Sequence, residues 1–444
     1  MTNSLNSLSL SSLDSFRAQT EGDRTYTLAR NAVTTSGILK AAWNSDAVAR
    51  YHDTYSVDLK PTKVTDQKQT GRCWLFAAHN IIRKEFIDVF NLENLELSAA
   101  YGMFYDKLEK SNLFLEAMIA LADRPLDDRE LHLLLDMPIP DGGHFAMAAS
   151  LIKKYGVVPS NIMPETASST NSRELNDVLG LALRRGGLTL RQAAQRGETP
   201  SALQALKDQT LADIYRILCI SLGEPPCHFT FEVRDKDDKF IRKSNITPQE
   251  FYALANIDLD DYIGLVNIPK ESHPFNTVFE LSPWIGNIVG EPIRFLNVEL
   301  DTFVDATTAQ LKGGKPIWFA CDVGKHFRRE QGLLSLETSD YEQLFGVKLA
   351  LDKSTELSLR EQVPNHAMTL QGVNLDDDGK PLAWKVENSW GDKTGKDGYL
   401  IITHDWFEHY TTEVIIKRAY LPQELIDLYD QSTPRVVPMW DILA

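Results

Sequence analysis

Gln67-Lys68-Gln69-Thr70-Gly71-Arg72-Cys73-Trp74-Leu75-Phe76-Ala77 is the stretch on which the reading of this 444-residue chain turns. Downstream of it Leu75, Ala78, Ile82, Phe86 and Val89 recur at helical spacing, so an amphipathic helix starts close to Cys73. The thiolate is the nucleophile of cysteine chemistry, and a helix N-terminus favours that anion through its unpaired N–H groups and its dipole. Gly71 permits a tight approach turn just before the thiol. Thiolate attack on a carbonyl makes an oxyanion, for which the Cys73 N–H and the Gln67 side-chain amide are candidate donors. Taken alone, Cys73 reads equally well as a small buried residue starting a core helix.

Two further stretches change that balance. Pro364-Asn365-His366-Ala367-Met368 opens an apparent strand, and Trp384-Lys385-Val386-Glu387-Asn388-Ser389-Trp390-Gly391 closes another. A histidine that takes a thiol proton needs its other ring nitrogen held by an acceptor, and the Asn388 carbonyl can supply one. The two residues are 22 apart, which suits neighbouring strands joined by a turn. Trp390 then shields the His–Asn hydrogen bond from water and strengthens it. Separately, His366 reads as a core histidine and Asn388 as a turn residue. Together with Cys73 they form a set for covalent catalysis.

Composition narrows the class. Hydrophobic residues make up 43% and charged residues 24%, the balance of a globular chain that buries a large core without staples. The formal net charge of −16 argues against a non-specific nucleic-acid binder, and the Lys/Arg pairs at 153–154, 184–185 and 328–329 are isolated. Four cysteines are too few for a disulfide scaffold. Cys219 and Cys227 lack the neighbours of a zinc site, and Cys219 and Cys321 sit in apolar runs as small hydrophobes. No metal or organic cofactor is expected. The first residues carry no basic, apolar leader, and no run approaches 18 apolar residues. With a free thiol as nucleophile, the expected location is cytoplasmic.

Along the chain, residues 1–60 read as a polar N-terminal arm with a short helix. Residues 61–168 read as a helical half holding Cys73, with helices after Ser98 and over 145–155. Residues 169–300 read as a mostly helical insertion carrying the strand-like piece 229–233. Residues 301–434 hold strand patterns at 316–323, 367–373, 383–386, 399–403 and 413–418, predicting an antiparallel, barrel-like half with His366 and Asn388. The fold class is α+β.

Gly71–Ala77, His366–Met368 and Val386–Gly391 resemble the three catalytic blocks of the bleomycin hydrolase and aminopeptidase C family, the cytoplasmic papain-like cysteine peptidases. The stretches 97–110, 141–143, 154–159, 163–166 and 318–325 are similar to the family's pattern too. The resemblance implies a papain-like fold with a large helical insertion. The 293 residues from Cys73 to His366, against roughly 130–150 in secreted papain relatives, fit that insertion. It implies peptide hydrolysis through a Cys73 acyl-enzyme and a ring-like homohexamer with its active sites facing a channel. It also implies a C-terminal arm, residues 435–444, lying in the cleft. There the Ala444 carboxylate meets the substrate's free amine and makes the enzyme a broad-specificity aminopeptidase. Gly142, Gly143 and Trp390 join Ala444 as substrate-binding residues.

The chain departs from the pattern in places. Three residues follow Trp440-Asp441 where the family's ending has six, so an extended tail is expected to stop roughly 10 Å short. His144-Phe145-Ala146 replaces the more usual Gln-Trp-Asp, and residues 362–365 also differ. The short tail leaves an endopeptidase or oligopeptidase as an alternative. An inactive peptide-binding scaffold and an acyl transferase using an amine acceptor are further alternatives of other classes.

Overall fold

The computed structural model describes residues 6–60 and 62–444. The first five residues of the expected arm, and Pro61 at the start of the expected helical half, lie outside the described residues.

Four helices, Cys73–Phe90, Ala99–Ala120, Arg129–Asp136 and Phe145–Tyr155, build one layer. Their ends follow local chemistry. Ser98 caps the second helix by accepting the Tyr101 N–H, and Gly156 closes the fourth with its N–H on the Ile152 carbonyl. The Cys73 helix has no side-chain cap. Its preceding residue, Arg72, instead sends a guanidinium fork to Glu165 at 3.1 and 2.9 Å. The first N–H groups of that helix are therefore left for an anion.

The other layer is a twelve-stranded sheet. At its centre Thr411–Lys417, Ile317–Cys321, His366–Leu375, Pro381–Glu387 and Tyr399–Thr403 run antiparallel in that order. These strands are buried on both faces, and Ile317–Cys321 reads as a continuous apolar run. One face meets the helical layer through Trp318, Ala320, Ala367 and Ile415. The opposite face packs Phe319, Met368 and Val414 with Phe303 and Trp406.

The structure differs from the sequence expectation in three places. The sheet is mixed: Tyr262–Val266 pairs in parallel with Arg294–Asn297, Thr277–Leu281 with Arg435–Val437, and Tyr399–Thr403 with Leu333–Leu334. The stretch 169–300 is helical over Arg173–Gln195 and Pro200–Leu222, then forms a hairpin and three strands that join the main sheet. A five-residue apolar run such as Tyr262–Val266 cannot be told from buried helix by periodicity, and its partners are distant in sequence. The leading stretch holds four helices, Leu10–Thr20, Arg24–Ser36, Ile38–Ala41 and Ser45–Ala49, instead of one. Among the described residues no helix is long and apolar enough to cross a membrane.

Candidate active site

Cys73 begins its helix, and His366 begins the central strand on which that helix packs. The N–H of Ala367, the residue after His366, points at the Cys73 sulfur at 3.5 Å. His366 Nε2 lies 2.9 Å from Asn388 Oδ1, at the end of the neighbouring strand. Because that amide oxygen also accepts the Ser389 N–H at 2.8 Å, it acts as the acceptor, and Nε2 carries the hydrogen. Nδ1 is then the ring nitrogen free to take a proton. The Trp390 ring covers His366 at 4.7 Å between centroids, inclined 32°. Cys73 and His366 thus line one cleft, Asn388 holds the imidazole, and Trp390 covers it.

Burial dominates the electrostatics. It pushes the Cys73 thiol up, while the backbone N–H groups of Ala367, Trp74 and Cys73 itself pull it down. It pulls His366 down to about 4, with the Asn388 hydrogen bond opposing and the Arg329 charge adding to the fall. Arg329 itself lies over the Trp390 ring at 4.6 Å. Neither a lone thiolate nor a lone imidazolium is favoured in this site. Proton transfer from sulfur to Nδ1 creates both charges together, so each offsets the other's desolvation.

Gln67 is fixed by the same segment that carries Asn388. Its main-chain N–H donates to the Ser389 carbonyl at 2.8 Å, and its Oε1 accepts the Ser389 hydroxyl at 2.6 Å. Its Nε2 donates one hydrogen to the Thr70 carbonyl at 2.6 Å, which leaves the second N–H available. Gln67, Cys73, His366 and Trp390 share the wall of one cleft of about 690 Å³.

Gly142 and Gly143 form another part of that wall. A Cβ on Gly143 would sit 2.7 Å from the Trp74 ring, and one on Gly71 would sit 2.8 Å from the Asp141 Cβ. Both glycines are thus required by close approach, whereas Gly142 has open space around it. Asp141 was legible only as a turn residue, yet its carboxylate accepts the Gly71 N–H at 3.1 Å and the Lys107 ammonium at 2.6 Å. Its carbonyl accepts the Trp74 indole at 2.8 Å. Although burial raises it, the Lys107 charge and the hydrogen bonds from Lys107, Ser172 and Asn176 hold the Asp141 carboxyl well below the usual range. Lys110 reaches the Gly142 carbonyl at 2.7 Å from the same helix. The available signal was a run of charges, Asp106, Lys107, Glu109 and Lys110, within a helix whose flanking turns are mostly apolar.

The tail is turned, not extended. Ala444 lies on the wall of the Cys73 cleft, beside Leu443, Ile442 and Met439. It gets there by turning: Asp441 N–H donates to the Pro438 carbonyl at 3.0 Å and Ala444 N–H to the Asp441 carbonyl at 3.3 Å. Asp441 is clamped by His273 Nε2 at 2.9 Å.

The family model described as the peptidase C1-like family matches residues 7–444. Aminopeptidase C of Streptococcus thermophilus is 39% identical over 439 residues, covering 98% of each chain. Aminopeptidase G of Lactobacillus delbrueckii subsp. lactis is 39% identical over 438 residues, covering 98% of this chain and 99% of its own. Among solved structures, PepW of Lactobacillus rhamnosis superposes with a TM-score of 0.95 at 39% identity, covering 98% of both chains.

Proposed function

The chain belongs to the peptidase C1-like family, and from that premise we propose that it is a broad-specificity aminopeptidase working through an acyl-enzyme on Cys73. Its fold is that of the papain-like cysteine peptidases. In this reading the catalytic halves are residues 61–168 and 301–434, and residues 435–444 are the arm in the cleft.

His366 takes the thiol proton at Nδ1 while Asn388 holds Nε2–H. The thiolate attacks the scissile carbonyl, and the oxyanion receives the Cys73 N–H and the free N–H of Gln67. His366 then gives its proton to the leaving amine. Water, deprotonated by the same nitrogen, cleaves the thioester and restores the thiol. Gly142 and Gly143 offer backbone groups along the substrate, and Trp390 keeps water from the His366–Asn388 bond.

The observation that carries the aminopeptidase reading is the position of Ala444 on the wall of the Cys73 cleft. A carboxylate fixed there attracts a cationic N-terminus and blocks a chain that continues past it. That favours exopeptidase action over internal cleavage. The family's pattern supports a homohexamer of cytoplasmic location.

The test is a peptide series with free and with acetylated N-termini, given to the intact enzyme and to Cys73→Ala. Single residues released from the free form alone are expected, and Cys73→Ala cuts neither. Internal cleavage of the acetylated form at an equal rate overturns the aminopeptidase reading. Activity retained in Cys73→Ala overturns the nucleophile.

A further inference from the structure

Beside the covered imidazole stands a cation that none of the proposed steps uses. Arg329 opens the turn of a short hairpin in which Phe327–Arg328 pairs with Leu333–Leu334. The Gly332 N–H closes that turn on the Arg329 carbonyl at 3.2 Å, and Leu333–Leu334 joins the hairpin to the main sheet beside Tyr399–Thr403. The neighbouring Arg328 is buried and spends its guanidinium on the Leu39 and Thr338 carbonyls and the Ser339 hydroxyl. Arg329 is exposed and lies against rings, 4.6 Å from the Trp390 centroid and 5.8 Å from that of Phe327. Those two rings pack on each other at 6.1 Å. Among the described residues the Arg329 guanidinium forms no ion pair. Stacking on two rings costs it side-chain freedom in advance and leaves the N–H groups at its edge available.

Trp390 is shared between this cation and the catalytic base, since it also covers His366 at 4.7 Å. The two steps put the guanidinium within about 9 Å of the imidazole, a span that roughly three residues of extended chain cover. His366 gives its proton to the leaving amine, so the departing part of a substrate begins at the imidazole. With the Ala444 carboxylate closing the acyl side, most of a peptide's length lies on the departing side.

We propose that Arg329 receives a carboxylate on the departing side of the substrate, either the C-terminal carboxylate of a short peptide or an acidic side chain. A guanidinium fork donates to both oxygens of such a group at once. The Arg329 charge opposes an imidazolium at His366, and a carboxylate seated on it offsets that opposition as the leaving amine comes into place. The proposal rests on the reading of the Cys73 cleft as a peptidase site.

Two sets of peptides with one common first residue separate the sources of the carboxylate. The first runs from two to five residues, each peptide as the free acid and as the C-terminal amide. The second is amidated throughout and carries glutamate or glutamine in turn at each departing position. For the intact enzyme, kcat/KM is expected to favour the charged member of at least one pair by about fivefold, the worth of a well-oriented, exposed ion pair. A preference for the acid at one length assigns the site to the chain terminus, and a preference for glutamate at one position assigns it to a side chain. In Arg329→Gln and Arg329→Met the ratio falls to near one, and Arg329→Lys keeps part of it. Each ratio is taken within one enzyme and does not depend on how much of a variant folds. Equal rates within every pair for the intact enzyme overturn the proposal, and so does a ratio that Arg329→Gln leaves unchanged. Failure of the peptidase reading itself registers differently, as no Cys73-dependent cleavage of even the uncharged amides.

Discussion

Replacing Arg83 with methionine tests how the two layers are held together at the site. Arg83 sits on the Cys73 helix and Glu387 immediately precedes Asn388, so their ion pair ties the nucleophile's element to the strand that orients the base. Their side chains are 2% and 0% exposed. Glu387 is also held by the Gln371 amide at 2.6 Å, and burial pushes its carboxyl up against the pull of both partners. Methionine keeps much of the volume and removes the charge. Breaking a buried pair from one side costs about 3–5 kcal/mol, because a charge remains buried without compensation. Glu387 can reduce that cost by keeping its proton in the folded state, which raises its folded pKa further above the unfolded value. The sign follows. At low pH the carboxyl is protonated folded and unfolded, so nothing is lost on this account. As pH rises, the unfolded chain gives up the proton while the folded one keeps it, and stability falls by as much as about 1.4 kcal/mol per pH unit. Urea unfolding of Arg83→Met and the intact protein at pH 5, 6.5 and 8 measures this as a difference that grows with pH. Arg83→Met/Glu387→Leu should recover most of the loss and flatten the trend. A loss below about 1 kcal/mol at pH 8, or one that is the same at all three pH values, refutes the reasoning.

Gly143→Ala forces a methyl group into the Trp74 ring and should cost about 1–3 kcal/mol with a fall in kcat/KM, whereas Gly142→Ala enters open space and should melt close to the intact protein. Paired melting curves and rates on one peptide check both. Acid should destabilise the intact protein between pH 6.5 and 4. Burial pulls His366 down to about 4 and, with Arg72 and Arg83 adding, His79 down to about 3. Both are held neutral, so their contribution is complete above the unfolded value of about 6.5 and is lost as pH falls. His79→Leu should show a shallower decline over that window in a pH series of urea midpoints.

What was legible in the sequence was what local rules decide. The helices over Cys73–Phe90 and Phe145–Tyr155 announce themselves by apolar period and by Gly156, and the strand over Ile317–Cys321 by its unbroken apolar run. Cys73, His366 and Asn388 could be picked out because the chemistry wants those residue types in fixed roles. What was hidden depends on pairings that no local pattern encodes. Arg83 and Glu387 are 304 residues apart, and each alone reads as a surface charge. Asp141 looks like turn punctuation until Gly71, Trp74 and Lys107 converge on it. Glu413 stands in a strand pattern whose alternation says nothing of a cleft beyond it.

The path of the tail depends on its anchors as well as on its length. An extended ending with three residues fewer would stop roughly 10 Å short, but reach depends on where the segment is last anchored. Arg435–Val437 is held as a strand beside Thr277–Leu281, so the path to the cleft begins at Pro438. Trp440 lies under the Arg129 guanidinium at 4.0 Å, and its carbonyl accepts from Arg360 at 3.2 Å. Asp441 then closes a turn with its main chain, while its carboxylate takes the Leu443 N–H at 3.1 Å and His273. Ile442 and Leu443 are buried in the same core that supports the Cys73 helix. A segment held by so many contacts has little freedom left to lose when a substrate arrives. The contacts before the last three residues, and not the number of residues after them, set the path of the tail towards the cleft.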